Sequence, residues 1–405
     1  MKRTTIYSYI RSIGLIAGFT LATTTSAELN VRDVNNSNPK QFVQHNDERN
    51  YWFAYKVSAP EDTRSMCCWK GGKYHDQNYG CDLTKKNYGF GSSSDFPMTD
   101  TVTVFTQIKN NKIKQLLTVG EHCPVTADGI TVNWLHDVSN QDSISWLQEV
   151  IEDNDGEKAS DNALYSLASH GGDEVTGVMY DLASNASHET AENAVFWLGQ
   201  RKDGLPHLEK LYQHSERRGV RKKINFALSQ NSDPRAYDLL KTIALEDDDF
   251  EQKKDAIFWL SQSGRKDTLS VLEHIVNQAT HEQIIEQGVF AISQLDDDAS
   301  NQALLDLVED HEKKSVRKKA LFWLAQSDPE RTRKAAFNIL HDNPQNHDWS
   351  DHVVFVLSQL PKPSSDDALF AILDGEYSKK IKKQALFWLS QSSHDETIER
   401  LSQRL

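Results

Sequence analysis

Four cysteines are the side chains with the most clearly defined chemistry. The 405 residues contain Cys67, Cys68, Cys81 and Cys123 and no other cysteine. The first 27 residues have the pattern of an export signal, and clustered cysteines in an exported chain typically form disulfides. A bridge between the adjacent Cys67 and Cys68 would be strained, which leaves two pairings: 67–81 with 68–123, or 67–123 with 68–81. The alternative is a four-thiolate zinc site, but Cys-Cys lacks the usual two-residue gap. The sequence therefore predicts two disulfides and no metal.

Histidines and carboxylates offer a second set of candidate ligands. Three pairs of adjacent His and Asp fall between residues 341 and 352, namely His341-Asp342, His347-Asp348 and Asp351-His352. They could bind a metal, but loop side chains of these types are more typically solvated, and the ligand spacing is not that of a known site. No Ser-His-Asp order, glycine-rich phosphate loop or paired-carboxylate motif is present. The sequence thus predicts a protein that is not an enzyme and has no cofactor.

The first 27 residues read as a targeting segment. Lys2 and Arg3 begin it, residues 13–22 form a short apolar stretch, and small residues precede the boundary at Ala27. This pattern predicts a secretory signal cleaved after Ala27 and a periplasmic or secreted protein. The apolar stretch is shorter than the about 20 residues needed to span a bilayer. No other segment approaches that length.

The composition limits the classes of partner. Charged residues make up 26% of the chain, hydrophobic residues 38%, and the formal net charge is −14. An acidic chain without a concentrated basic segment is a poor match for nucleic acid or an anionic membrane. A modest apolar content with 9% aromatic residues favours a folded protein with much surface per residue, as in elongated repeat arrays.

Residues 28–152 read as a small disulfide-bonded, β-rich (α+β) domain. Alternating apolar residues predict strands, and Asn110-Asn111 suits a tight turn because Asn tolerates positive φ. An apolar stripe at helical spacing predicts a short helix at the end of the domain. The predicted strands are 51–58, 101–109, 112–120 and 129–138, and the predicted helix is 142–152.

Residues 155–405 contain a repeat of 30 to 33 residues. Each copy holds two helical patterns around a recurring segment such as AIFWLSQ (256–262) or ALFWLSQ (385–391). Steady repetition of a helix pair predicts an α-solenoid of about eight pairs, mostly α in class, in which each pair buries its apolar face on its neighbours. The aligned aromatics of the eight copies are Tyr165, Phe196, Phe226, Phe258, Phe290, Phe322, Phe355 and Phe387.

Residues 315–329 (SVRKKALFWLAQSDP) resemble the short HEAT repeat of the kind also found in phycobilisome lyases. The shared features are Val316-Arg317, an Ala and a Leu before the aromatic, and a break with Asp328-Pro329. The chain also resembles exported bacterial HEAT-repeat proteins in which a signal peptide and an N-terminal domain containing Met66-Cys67-Cys68-Trp69 precede such repeats. The resemblance implies a scaffold for protein interactions, which is an analogy at the level of the fold.

Some HEAT-repeat enzymes are di-iron hydroxylases with His-Glu pairs on the first helix of each pair. The His-Glu pairs of this chain lie at different distances from their aligned aromatics, so they share no register. The sequence therefore predicts no di-iron activity. These pairs are His188-Glu189, His281-Glu282 and His311-Glu312.

The aligned aromatics form a hypothetical binding surface. At 100° per residue, Phe258 falls opposite Ala256 and Leu260, on the polar side of its helix. We call the eight aromatics the aromatic row. Seven copies carry a Gln four residues later, and we call these residues the glutamine row. They are Gln200, Gln230, Gln262, Gln294, Gln326, Gln359 and Gln391.

Two interpretations of these rows remain open. Aromatic area and amide hydrogen bonds could hold an extended peptide or a partner domain. Alternatively, the rings could stack between repeats and the Gln side chains could link repeats or cap helices. Trp follows the aromatic in every second copy, at Trp197, Trp259, Trp323 and Trp388, and small or medium residues follow it in the others. That alternation predicts a packing unit of two repeats, with Trp filling interior space.

The sequence as a whole predicts a non-enzymatic scaffold that binds another envelope protein or peptide through the two rows. The alternative is an envelope enzyme or a small-molecule or glycan-binding protein. Its site would lie in the N-terminal domain or in a groove between the two parts.

Overall fold

The computed structural model describes residues 29–61, 63–69, 79–85, 89–91, 96–154, 157–342, 347–392 and 394–403. The predicted signal peptide lies outside these residues. The chain divides into two compact units, residues 1–139 (unit 1) and 140–405 (unit 2). The helix at 140–153 thus belongs to unit 2, whereas the helix predicted at 142–152 was expected at the end of the β-rich domain.

Unit 1 contains nine strands and one helix among its described residues. In chain order these are β1 (Asn30–Val34), α1 (Pro39–His45), β2 (Asn50–Ser58), β3 (Cys67–Trp69), β4 (Cys81–Asp82), β5 (Gly89–Gly91), β6 (Thr101–Lys109), β7 (Lys112–Gly120), β8 (Val125–Thr126) and β9 (Thr131–Leu135).

A five-stranded sheet forms the centre of unit 1, in the order β1-β9-β2-β6-β7. Strands β1, β9 and β2 run parallel, and β2, β6 and β7 are antiparallel neighbours. The predicted turn between β6 and β7 is confirmed, since Asn110 and Asn111 have φ values of 53° and 58°. Strand β2 is buried on both faces, from Tyr51 to Tyr55, because α1 covers one face with Phe42, whose ring lies 5.5 Å from that of Phe53.

Two disulfides lie in the core on the other face of the sheet. They join Cys67 to Cys123 and Cys68 to Cys81, which selects the second of the two predicted pairings. All four cysteines pack with Trp52 in one buried cluster. Cys68–Cys81 joins β3 to β4, and Cys67–Cys123 joins β3 to the segment between β7 and β8. The cross-links therefore tie together the short pairs β3–β5 and β4–β8, in which strand pairing joins only two or three residues.

Among its described residues, unit 2 contains α2 followed by eight pairs of α-helices. The first helices of the pairs are α3 (Lys158–Ala168), α5 (His188–Gln200), α7 (Arg218–Gln230), α9 (Phe250–Ser261), α11 (Glu282–Ser293), α13 (Lys314–Ser327), α15 (His347–Ser358) and α17 (Lys379–Ser390). The second helices are α4 (Glu174–Asn185), α6 (Leu205–His214), α8 (Pro234–Glu246), α10 (Thr268–Gln278), α12 (Asp298–Asp310), α14 (Pro329–Asp342), α16 (Ser364–Asp374) and α18 (Asp395–Ser402), and α2 is Asn140–Asp153.

The predicted α-solenoid of eight helix pairs is confirmed. An Asp-Pro break like that at Asp328-Pro329 also begins α8. The Asp233 carboxylate caps this helix by accepting the Arg235 backbone N–H at 2.9 Å, and Pro234 is the first helical residue. Each pair buries an apolar stripe against its neighbours, as Ala256, Ile257 and Leu260 of α9 do with no exposed surface. None of the described helices is long and apolar enough to cross a membrane.

Candidate interaction surface

The aromatic row lies on the first helices, at the border between core and solvent. In α9, Ile257 is buried, and Phe258, one residue on, is half-buried. The same holds along the row from Tyr165 to Phe355, and Phe387 is 55% exposed. The helical wheel correctly placed these rings outside the apolar stripe, but they are only partly in solvent because neighbouring rings cover them.

The rings contact one another from repeat to repeat. Parallel stacks join Phe196 to Phe226, with ring centroids 5.8 Å apart and planes at 7°. Phe258 and Phe290 repeat this geometry at 6.4 Å and 6°, and Phe322 and Phe355 repeat it at 6.3 Å and 2°. Aromatic pairs of this kind contribute about 0.5–1.5 kcal/mol each beyond their buried area. Stacking between repeats, one of the two open interpretations, is therefore part of the arrangement.

Tryptophans connect the stacked pairs into one series. Trp259 lies 4.7 Å from Phe226 of the preceding repeat and 5.0 Å from Phe258 of its own. The other three occupy the same position: Trp197 contacts Tyr165 and Phe196, Trp323 contacts Phe290 and Phe322, and Trp388 contacts Phe355 and Phe387.

The two-repeat period thus has a geometric cause, because stacked Phe pairs alternate with inserted Trp rings. The tryptophans are half-buried in the row. The prediction that these rings fill interior space is therefore wrong.

The glutamine row is exposed along its whole length. In five copies a Ser precedes the Gln, and its hydroxyl donates to the carbonyl of the aligned Phe, as Ser261 does to Phe258 at 2.7 Å. The Gln amide then donates to that hydroxyl, at 3.1 Å for Gln262. Gln230, Gln294, Gln359 and Gln391 do the same at 3.0–3.5 Å. These contacts stay within one helix end, so in these copies the amide is held beside its own aromatic rather than linking two repeats.

Charged side chains flank the aromatic row and pair between repeats. Lys314 and Lys318 bind Asp348 of the next first helix at 2.6 and 2.5 Å. These hydrogen bonds and charges lower the pKa of Asp348 to about 2. Beside Phe258, a cleft of about 210 Å³ has Lys222, Lys254 and Asp255 in its walls. The surface is therefore apolar along its centre and charged along one side.

A third row, on the fifth residue after the aligned aromatic, was not identified from the sequence. Arg201 is 7% exposed, and its guanidinium donates to the carbonyls of Ala168, His170 and Gly172 in the preceding repeat at 3.1, 2.7 and 3.3 Å. Asn231 likewise donates to the carbonyls of Gly199 and Arg201. The residue type changes from copy to copy, so no composition signal marked this position. At Arg201 and Asn231 this position joins the loops of adjacent repeats.

His170 occupies the first position of that third row and is fully buried. Its ring nitrogens lie 2.7 Å from the Ser143 hydroxyl and 2.7 Å from the Ser166 carbonyl. Burial, with a smaller contribution from the Arg201 charge, lowers the pKa of His170 to about 4. The imidazole is therefore neutral near pH 7 and serves as a structural hydrogen-bonding group.

The candidate metal ligands near residue 350 have other partners. Asp348 binds the two lysines, the His352 ring nitrogen lies 2.8 Å from the Lys318 carbonyl oxygen, and His341 contacts Asp342. The His347 side chain lies outside the described part of the chain. Among described residues, three potential ligand atoms converge at Cys67, Cys81 and Cys123, and those sulfurs are in disulfides.

Comparisons with known proteins return helical-repeat structures. No protein-family model matches the chain, and no curated protein matches it. Human deoxyhypusine hydroxylase is 17% identical, with a TM-score of 0.27 over 62% of this chain and 96% of its own. The CpcE–CpcF complex of phycocyanin lyase from Nostoc sp. PCC7120 is 16% identical, with a TM-score of 0.30 over 56% and 92%.

Karyopherin Kap121p bound to Pho4p is 13% identical, with a TM-score of 0.35 over 62% of this chain and 33% of its own. These neighbours are HEAT-like helical repeat proteins. The fold of unit 2 is shown by its own helix pairs.

Proposed function

We propose that the chain is a non-enzymatic scaffold that binds another protein or an extended peptide along the aromatic and glutamine rows. One observation carries this proposal: half-buried rings contact one another without a break from Tyr165 to Phe387. Contiguous apolar surface that reaches solvent is uncommon on proteins that bind nothing there. Packing between repeats requires ring contacts, but it does not require the rings to stay partly in solvent.

The glutamine row gives this surface its polar specificity. Each amide is exposed, and a serine holds five of them beside the aligned Phe. An amide carries both a donor and an acceptor, so each Gln of the row can hydrogen-bond to a peptide group of an extended backbone. Aromatic contact area would supply affinity, and the amides would set the register of the bound segment.

Substitution of exposed glutamines tests the surface without disturbing ring packing. The variant Gln230→Glu, Gln262→Glu and Gln294→Glu adds three charges to the centre of the row. The matched control, Gln213→Glu, Gln278→Glu and Gln302→Glu, adds the same charge to exposed positions on α6, α10 and α12. Crosslinking and pull-down from the native cell envelope should lose a specific partner with the first variant and keep it with the second. An identical partner list for wild type and both variants would refute binding through this face.

We also propose that the chain acts outside the cytoplasm. Residues 1–27 have the pattern of a secretory signal, and two buried disulfides fit an oxidising compartment. Mass spectrometry of the protein from its native host should find an N-terminus at Glu28 in the periplasmic or secreted fraction. Recovery of the chain from the cytosol with residues 1–27 intact would contradict export.

A further inference from the structure

The junction between α7 and α9 has polar residues at places where other repeats are apolar. Asn225 precedes the aligned Phe226 and is fully buried, and each of the other seven copies has an apolar residue at this position. Gln252 is 3% exposed at a position that four other copies fill with Val or Ile. The Asn225 amide donates to the Gln252 backbone carbonyl at 3.1 Å and to the Asp255 carboxylate at 3.2 Å. Polar groups are costlier to bury than apolar ones, and departures of this kind are expected at functional sites.

A cleft of about 210 Å³ opens at this junction, and its walls contain two carboxylates and three cations. The carboxylates have partners within the chain: Glu251 pairs with Lys254 at 3.4 Å, and Asp255 is bound to the buried amide. Arg218 and Lys222 are exposed, and neither forms an ion pair in the part of the chain that the structure describes. Their i, i+4 spacing places them on the same face of α7. The cleft therefore presents two adjacent cations whose charge is available to a ligand.

The α13 repeat shows how a carboxylate binds at the equivalent place. Lys314 and Lys318 occupy the same two positions, eight and four residues before the aligned aromatic, and both bind Asp348 of the next first helix at 2.6 and 2.5 Å. Glu251 has the position of Asp348 in its own repeat, but it pairs with Lys254 of the same helix instead. The two cations of α7 thus lack the carboxylate that completes the site on α13.

We propose that the partner segment is acidic and that one of its Asp or Glu side chains binds between Arg218 and Lys222. This inference rests on the proposed function, because the segment must lie along the aromatic row. The bound carboxylate takes the place that Asp348 has on α13, and Phe258, which lines the same cleft, contacts an apolar residue next to it in the segment. Charge-assisted hydrogen bonds are roughly twice as strong as neutral ones, so this contact fixes where the segment lies along the row.

Selection of peptides tests the proposal. A phage library of random heptapeptides is bound to the full chain, and each peptide is fused to the coat protein through its C-terminus, so that only Asp or Glu side chains supply a carboxylate. Enriched peptides should share an acidic residue next to an aromatic or aliphatic one.

The selection separates this inference from the proposed function. Enriched peptides that share no acidic residue would refute the acidic contact. If their binding were lost in the variant Gln230→Glu, Gln262→Glu and Gln294→Glu, the proposed surface would still stand. Enrichment of no peptide would refute both proposals.

Two variants locate the contact. Affinity for the consensus peptide, synthesised with an amidated C-terminus, should fall at least about tenfold in Arg218→Gln with Lys222→Gln, because two charged donors are lost. The charge-matched control, Lys210→Gln with Lys266→Gln, removes two exposed cations outside the cleft, and salt screens their effect to less than about twofold. Fluorescence anisotropy measures both affinities. All four side chains are exposed, so both variants should keep the wild-type melting temperature. Equal affinity in the two variants would place the acidic residue elsewhere and overturn the proposal.

Discussion

Units 1 and 2 are stabilised by different kinds of contact. In unit 1 each contact occurs once and joins distant parts of the sequence: β1 pairs with β9 about a hundred residues later, and Cys67 is bonded to Cys123. In unit 2 one contact, a ring stacked on the ring of the next repeat, recurs along the chain. Loss of a single link should therefore affect unit 1 globally, and it should affect unit 2 only over neighbouring repeats.

Disulfide removal should have the largest effect and should be confined to unit 1. Each native disulfide of a small domain contributes about 2–5 kcal/mol, and Cys68–Cys81 joins the short pairs β3–β5 and β4–β8 to each other. The double variant Cys68→Ala and Cys81→Ala should unfold much of unit 1. Hydrogen exchange followed by mass spectrometry should show β2 and β6 exchanging fast.

The solenoid serves as the internal control in that experiment. Peptides from α5 to α15 should keep wild-type protection, and helical circular dichroism should be preserved. Loss of protection throughout unit 2 would show that the two units are one cooperative structure, and the comparison would then be wrong.

Within unit 2, Arg201→Ala should cost more than about 3 kcal/mol, because each hydrogen bond from a charged donor contributes about 1.5–3 kcal/mol and three carbonyls lose one. The loss should be local. Exchange should accelerate in α3 to α6 and remain slow from α11 onward.

Arg235, an exposed arginine, serves as the control for the stability loss in Arg201→Ala. Arg235 pairs with Asp233 at the surface, and Arg235→Ala should change stability far less than Arg201→Ala does, because solvent weakens an exposed ion pair. If both variants were equally stable, the buried position of Arg201 would have no energetic consequence.

These contacts mark the limit of what the sequence could predict. The repeat period and the hydrophobic pattern were sufficient to predict eight helix pairs, because the same pattern recurs in every copy. They also placed Phe258 outside the apolar stripe. The roles of Arg201 and Asn231 were not predicted, because the fifth residue after the aligned aromatic has no fixed type. The disulfide pairing stayed open, because the spacing of the cysteines does not specify which of them meet.

Acid should weaken the first repeats of unit 2 through His170. Its pKa falls from 6.5 to about 4 on folding, so the unfolded chain binds a proton that the folded chain does not. The contribution of neutral His170 to the free energy of unfolding is fully present above pH 6.5 and is lost progressively as pH falls toward 4. Between about pH 7 and pH 5 the loss is about 2 kcal/mol. Urea unfolding across this range should show that slope in the wild type, and His170→Gln should reduce it. A slope that persists in the variant would assign the pH dependence to other groups.

The smallest expected effect is the loss of stability when single members of the aromatic row are truncated. Phe290 is half-buried between Phe258 and Trp323, with ring centroids at 6.4 and 4.8 Å. Phe387 is 55% exposed and stacks edge-on with Trp388. Truncation of Phe290 to Ala removes two ring contacts and should cost about 1.5 kcal/mol, and Phe387→Ala should cost less than about 0.5 kcal/mol. Local hydrogen exchange in α11 and α17 measures both. Equal costs would mean that stacking adds nothing to the stability of the row, and its rings would then be retained for binding alone.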